Sequence, residues 1–117
     1  MADVTIYHNP RCSKSREAMA LLQEQDVEPH VIEYLKENPT RPDIEGLMTM
    51  LGIRHPKAMM RVGEPAFKEL ALGDASDDEL IDAMVAHPIL IERPIIIKGD
   101  RAVIGRPPNR LLELLED

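Results

Sequence analysis

Cysteine is almost absent from this 117-residue chain, and Cys12 is the only one. A single cysteine closes no internal disulfide and cannot supply the thiolates of a multi-cysteine zinc site. There is no tryptophan and only one phenylalanine. The core therefore has to be aliphatic, drawn from Leu, Ile, Val and Met in a composition that is 44% hydrophobic. No apolar run approaches the roughly 18 residues of a membrane span. Met1-Ala2-Asp3-Val4 lacks the basic-then-apolar order of a secretory leader, so a cytoplasmic protein without membrane contact is expected. Positive charge is also scarce. The net charge of −7 would repel a phosphate backbone, which argues against a nucleic-acid surface. No heptad run is present, and a monomer is the default expectation.

What remains is enough chain for one domain, residues 1–117, with a single real core. Val4-Thr5-Ile6-Tyr7 is a β-rich run that ends at His8-Asn9-Pro10. Ser13 or Ser15 is placed to cap a helix running to about Gln25, with Ala18, Met19, Leu21 and Leu22 on its inner face. Residues 29–34 read as a second strand, and Asn38-Pro39 as a turn. A helix is predicted over Pro42 to Leu51, closed by Gly52, and a shorter helical piece over Lys57 to Val62. Ser76-Asp77-Asp78-Glu79 is a capping box that opens a further helix, which Pro88 stops. Pro94 to Ile97 and Ala102 to Ile104 read as strands joined by the turn Lys98-Gly99-Asp100-Arg101. Pro108 suits the start of a last helix carrying Leu111, Leu112, Leu114 and Leu115. The order is strand, helix, strand, a helical middle, a hairpin and a helix. It predicts an α/β domain: a thioredoxin/glutaredoxin-like mixed sheet flanked by helices, with a helical insertion between the two halves.

Cys12 falls between a strand end and a helix start. Backbone N–H groups point at that position and the helix dipole favours negative charge there, so the thiol pKa should fall below its free value of about 8.5. Arg11, Lys14 and Arg16 flank it, and a protonated His8 would act in the same direction. The alternative is a small buried hydrophobe, which polar and basic neighbours disfavour. A tyrosine-phosphatase loop needs an arginine six positions after its cysteine. That position is Ala18 here, and the nearby arginine is Arg16. No histidine–cysteine–carboxylate spacing argues for a metal. Met19, Met48, Met50, Met59, Met60 and Met84 read as core filling rather than a copper site.

The run from His8 through Pro10, Cys12 and Ser15 to Arg16 resembles the glutathione- and glutaredoxin-dependent arsenate reductase family. The resemblance continues in Met59-Met60-Arg61, in the run from His87 to Ile95, and in Ile104-Gly105-Arg106-Pro107-Pro108. These motifs lie in order over nearly the whole chain, and their wording is nearest a short bacterial branch called YfgD-like. The resemblance implies a thioredoxin-like fold, with Cys12 catalytic. It implies that Arg61, Arg93 and Arg106 surround the substrate oxyanion, that His8, Ser15 and Arg16 support the thiolate, and that Pro94 is the cis-proline candidate beside the site. Guanidinium groups present paired donors and stay charged, which suits a tetrahedral anion. Arg41, Arg54, Arg101 and Arg110 have no such match and read as surface residues, as do His30 and His55, while His87 ends a helix.

Arsenate reduction takes two electrons, and one thiol forming one disulfide supplies one of them. The second thiol must come from outside, so glutathione is the expected co-substrate, glutaredoxin the partner, and no cofactor is bound. Two other functions fit the residues. One is a monothiol glutathione-dependent oxidoreductase acting on another substrate. The other is a non-enzymatic adaptor like the Spx regulators, although their Cys-x-x-Cys switch is missing because Ser15 stands at the second position.

Overall fold

The structure is a computed structural model that describes residues 4–116. Three of the four residues on which the leader reading rests, Met1-Ala2-Asp3, lie outside the described residues. The chain divides into two compact units. One comprises the chain up to Glu37 and again from Arg93, and the other is Asn38–Glu92.

The first unit holds a four-stranded sheet built from β1 (Val4–Tyr7), β2 (His30–Ile32), β3 (Ile95–Lys98) and β4 (Arg101–Ile104), in the order β2-β1-β3-β4. β1 and β2 run parallel, because helix α1 (Ser13–Glu24) carries the chain back between them. β3 is antiparallel to β1, with Ile6 opposite Ile96, and β4 is antiparallel to β3. Gly99, at φ 64, lies in the left-handed region and allows the tight turn between β3 and β4. This mixed sheet with its helices is the thioredoxin-like arrangement.

The expected aliphatic core holds only in part, because Tyr7 and Tyr34 are also buried in this unit. Val4, Ile6, Ala18, Leu22, Ile96, Leu111 and Leu114 form one buried cluster, with Met19, Leu21, Leu112 and Leu115 packed against it. α1 contributes Ala18 and Leu22, four residues apart and therefore on one face. The last helix, α5 (Leu111–Leu115), contributes Leu111 and Leu114. Pro108 opens a 3-10 turn, Pro108–Arg110, just before it.

The second unit is the helical insertion. Thr40 caps α2 (Arg41–Leu51): its hydroxyl accepts from the Asp43 N–H at 3.3 Å, and Asp43 accepts from the Thr40 N–H at 2.9 Å. Gly52, at φ 71, ends the helix. Ser76 and Glu79 cap α4 (Asp77–Ala86) in the same reciprocal way. Arg41 joins the two helices through Asp78 and Asp82, and the latter contact is 2.8 Å. The fully buried side chains include Ile44, Leu47, Met59, Met84, Leu90 and Ile91, so Met59 and Met84 do fill the core.

The strand expected over residues 29–34 is confined to His30–Ile32, because the chain turns from Glu33, whose carbonyl accepts from the Lys36 N–H at 2.9 Å. The helical piece over Lys57 to Val62 is a 3-10 turn, Pro56–Met59, that starts one residue earlier and stops at Met59. Met60 turns extended and bridges Ile91 in antiparallel fashion. Backbone bonds from the Arg61 N–H to Leu90 O (2.7 Å) and the Glu92 N–H to Met59 O (2.8 Å) hold this bridge. A short helix, α3 (Pro65–Glu69), follows with no buried residue, so apolar periodicity gave no sign of it.

Candidate active site

β1 delivers the chain to His8, whose N–H donates to Ile32 O at 2.8 Å. The loop then closes on itself. Asn9 Oδ1 accepts from the Arg11 N–H at 3.0 Å, an Asx-turn, and the Asn9 carbonyl accepts from the Cys12 N–H at 2.9 Å. Cys12 is the N-cap residue of α1, with extended backbone, and its carbonyl accepts from the Arg16 N–H at 3.0 Å.

Ser15 is therefore not the cap. It lies one turn inside α1, fully buried, and its Oγ accepts from the Asn9 N–H at 3.0 Å. The same Oγ lies 2.6 Å from His8 Nδ1. One hydroxyl ties strand end, loop and helix together beneath the cysteine.

Cys12 is 8% exposed. Burial pushes its thiol pKa up, but the Ser15 N–H, the Arg93 guanidinium and the Lys14 N–H together outweigh it. The net result is a pKa below the ordinary thiol value. Helix-start donors thus lie at the sulfur, where an incoming anion would meet them.

Burial lowers the pKa of His8, with Glu33 pulling it up and Arg16 adding to the decrease. His8 thus supports the loop through Ser15 rather than through positive charge. Arg16 Nη1 donates to Pro10 O at 3.0 Å and braces the loop from outside. Lys14 contributes its backbone N–H, while its ammonium lies 3.5 Å from Glu17.

Arg93 is brought to the cysteine, where its charge and a hydrogen bond hold the thiol pKa down. Its Nε and Nη1 are buried and have no hydrogen-bond partner among the described residues. The Arg93–Pro94 peptide is cis, and so is Arg106–Pro107. Arg106 is exposed, just beyond β4. The β3–β4 register pairs Ile95 with Ile104, and one step further the Gly105 N–H donates to Pro94 O at 2.8 Å. Beyond Gly105 the chain turns, with the Arg106 N–H donating to Ile104 O at 2.9 Å. Gly105 permits the approach, because a Cβ there would lie 2.8 Å from Ile96 Cδ1 and 3.0 Å from Pro94 Cγ. Arg61 belongs to the inserted unit, where its Nη1 lies 2.8 Å from Glu64 Oε2.

Sequence reasoning missed Asn9, Gly105 and Glu64. Asn9 before a proline carries an Asx-turn signal that could have found it. Gly105 matters through a cross-strand approach and Glu64 through a turn, and neither has a periodic signature.

Comparison with known proteins places this geometry. The ArsC family model matches residues 7–114. The uncharacterized protein YfgD of Escherichia coli (strain K12) is 46% identical over 114 residues, covering 96% of this chain and 96% of that protein. A protein of Haemophilus influenzae named arsenate reductase is 45% identical over 114 residues, covering 96% and 98%. A solved structure of an arsenate reductase from Vibrio cholerae superposes with a TM-score of 0.93 at 50% identity, covering 96% of this chain and 97% of that one. The family match runs from the last residue of β1 to the last buried leucine of α5 and takes in the whole cysteine loop, so the chain belongs to the ArsC family.

Proposed function

We propose that this protein is an arsenate reductase in which Cys12 is the nucleophile and glutathione and glutaredoxin supply the electrons. The observation that carries this reading is the pairing of a lowered-pKa thiol with buried, unpartnered guanidinium nitrogens of Arg93 beside it. A thiolate supplies the nucleophile, and free donors suit the oxygens of a tetrahedral anion. Relatives covering nearly the whole chain and named arsenate reductase support the choice of substrate.

In the first step the Cys12 thiolate attacks arsenic(V), a sulfur–arsenic bond forms, and one oxygen leaves as water after taking up a proton. Arg93 and Arg106 balance the charge on the remaining oxygens, and Arg61 is assigned to the same task on the family pattern. A glutathione thiolate then attacks the Cys12 sulfur. The sulfur–arsenic bond breaks with its electron pair left on arsenic, which departs as arsenite, and a mixed disulfide remains on Cys12. A glutaredoxin thiolate takes the glutathione by exchange and returns Cys12 to its thiolate. The protein acts as a monomer in the cytoplasm, where glutathione keeps thiols reduced.

A coupled assay tests this: NADPH oxidation with glutathione, glutathione reductase and glutaredoxin, with and without arsenate. Arsenate-dependent consumption that Cys12→Ser abolishes is the expected outcome. Equal consumption without arsenate would instead assign the site to a different thiol-exchange substrate.

A further inference from the structure

Arg61 already has an anion against it. Surface ion pairs such as Lys14–Glu17 leave about half of each side chain exposed, at 45% and 54%. Arg61 and Glu64 are only 22% and 20% exposed, with Nη1 and Oε2 2.8 Å apart. A turn builds the pair: the Glu64 N–H donates to Arg61 O at 3.0 Å, bringing positions three apart face to face. The Arg61 N–H is fixed on Leu90 O at 2.7 Å, which anchors that turn on the Met60–Ile91 bridge. Pro65 follows at the start of α3, so the chain leaving Glu64 is constrained as well.

A tetrahedral anion that comes to Arg61 therefore meets a carboxylate that is already there. Two ionised groups that only accept hydrogen bonds repel each other and leave each other's lone pairs unpaired. A fully ionised anion such as sulfate is in that position. Arsenate and phosphate carry a hydroxyl at neutral pH. They can donate that O–H to the carboxylate while their other oxygens accept from the guanidinium. A site that holds such an acceptor favours the ligand with the hydroxyl and turns away the analogue without it. Arg93 is built differently, since its buried Nε and Nη1 have no carboxylate on them.

We infer that Glu64 is a specificity-determining residue of the oxyanion site: its carboxylate accepts the hydroxyl of a hydrogen-bearing tetrahedral anion held by Arg61 and excludes sulfate. The inference rests on Arg61 being an oxyanion ligand, as the proposed function has it. Glu64 takes no part in the sulfur chemistry.

The test is calorimetric titration of inorganic phosphate and of sulfate into the reduced full-length protein and its variants. The wild type should bind phosphate about tenfold or more tightly than sulfate. Glu64→Gln keeps the shape and removes the charge, and it should bring the ratio to within about twofold of unity, mainly by tightening sulfate. Glu64→Asp, which restores a carboxylate, should keep the preference for phosphate. Each ratio is taken within one sample, so a smaller folded fraction cancels. A wild type that binds the two anions equally overturns the inference, and so does an unchanged ratio in Glu64→Gln. Arg61→Ala separates the causes. If it weakens both anions while Glu64→Gln leaves the ratio unchanged, Arg61 is a ligand and Glu64 is not selective. If it weakens neither, the assignment of Arg61 fails and takes the inference with it.

Discussion

The Arg93 guanidinium hydrogen-bonds the Cys12 sulfur and still keeps two buried nitrogens, Nε and Nη1, without a partner among the described residues. One side chain thus acts on the thiol and, under the proposed function, also holds the oxyanion. Removing its fork should damage both functions. Arg93→Lys keeps a charge but loses the planar donors, and kcat/KM for arsenate should fall by roughly 10- to 100-fold, the equivalent of one charge-assisted hydrogen bond. Arg93→Ala should also raise the Cys12 pKa. Thiolate absorbance against pH would show this, and an unmoved midpoint would separate Arg93 from the sulfur.

The folded state favours the Cys12 thiolate, which fixes the sign of a pH effect on stability. The extra stability is complete above the ordinary thiol pKa and is lost as pH falls through the lowered folded value. His8, lowered by burial, acts in the same direction at lower pH, because its protonation opposes folding. Urea midpoints should therefore rise with pH through two windows. Cys12→Ser should remove the upper step and keep the lower one. A Cys12→Ser profile parallel to wild type throughout would contradict the lowered thiol.

Ser15 is the fully buried hydroxyl under the loop. Ser15→Ala leaves the Asn9 N–H without its acceptor and frees His8 from the helix. The expected cost is about 1–3 kcal/mol of stability by urea denaturation. The Cys12 alkylation rate at neutral pH should drop with it, since the Ser15 N–H is positioned by the same contacts.

At Gly105 an added methyl would crowd Ile96 and Pro94. Gly105→Ala should cost about 1–3 kcal/mol, as overpacking commonly does, and should lower kcat/KM by displacing the residues next to Arg93. A stable variant with wild-type activity would show that the neighbours yield freely.

Much of the fold was legible because its signals are local. The Ser76–Glu79 capping box, Gly52 and the hairpin glycine Gly99 each announce a boundary through their own backbone chemistry. The 3.6-residue spacing of Ala18 and Leu22 found the face of α1 that is buried. Cys12 was readable as a helix-start thiol for the same reason. What escaped depends on partners distant in sequence or on a choice between rivals. Ser15 looked like a cap, but its hydroxyl bonds back to Asn9 instead. His8 looked like a source of charge, and burial makes it neutral more readily. Met60 reads as helix until Ile91 is there to pair with it. The family pattern pointed to Arg61, but the carboxylate of Glu64 on its guanidinium became visible only once the turn between them was closed.

The attack of Cys12 on arsenate is tested most directly by a single-turnover reaction read by intact-protein mass spectrometry. The reduced protein is mixed with glutathione, with and without arsenate, in the absence of glutaredoxin. One glutathione should accumulate on Cys12 only when arsenate is present, in step with the arsenite released. Arsenite formed by Cys12→Ser at the wild-type rate, or glutathione loading that ignores arsenate, would contradict the account.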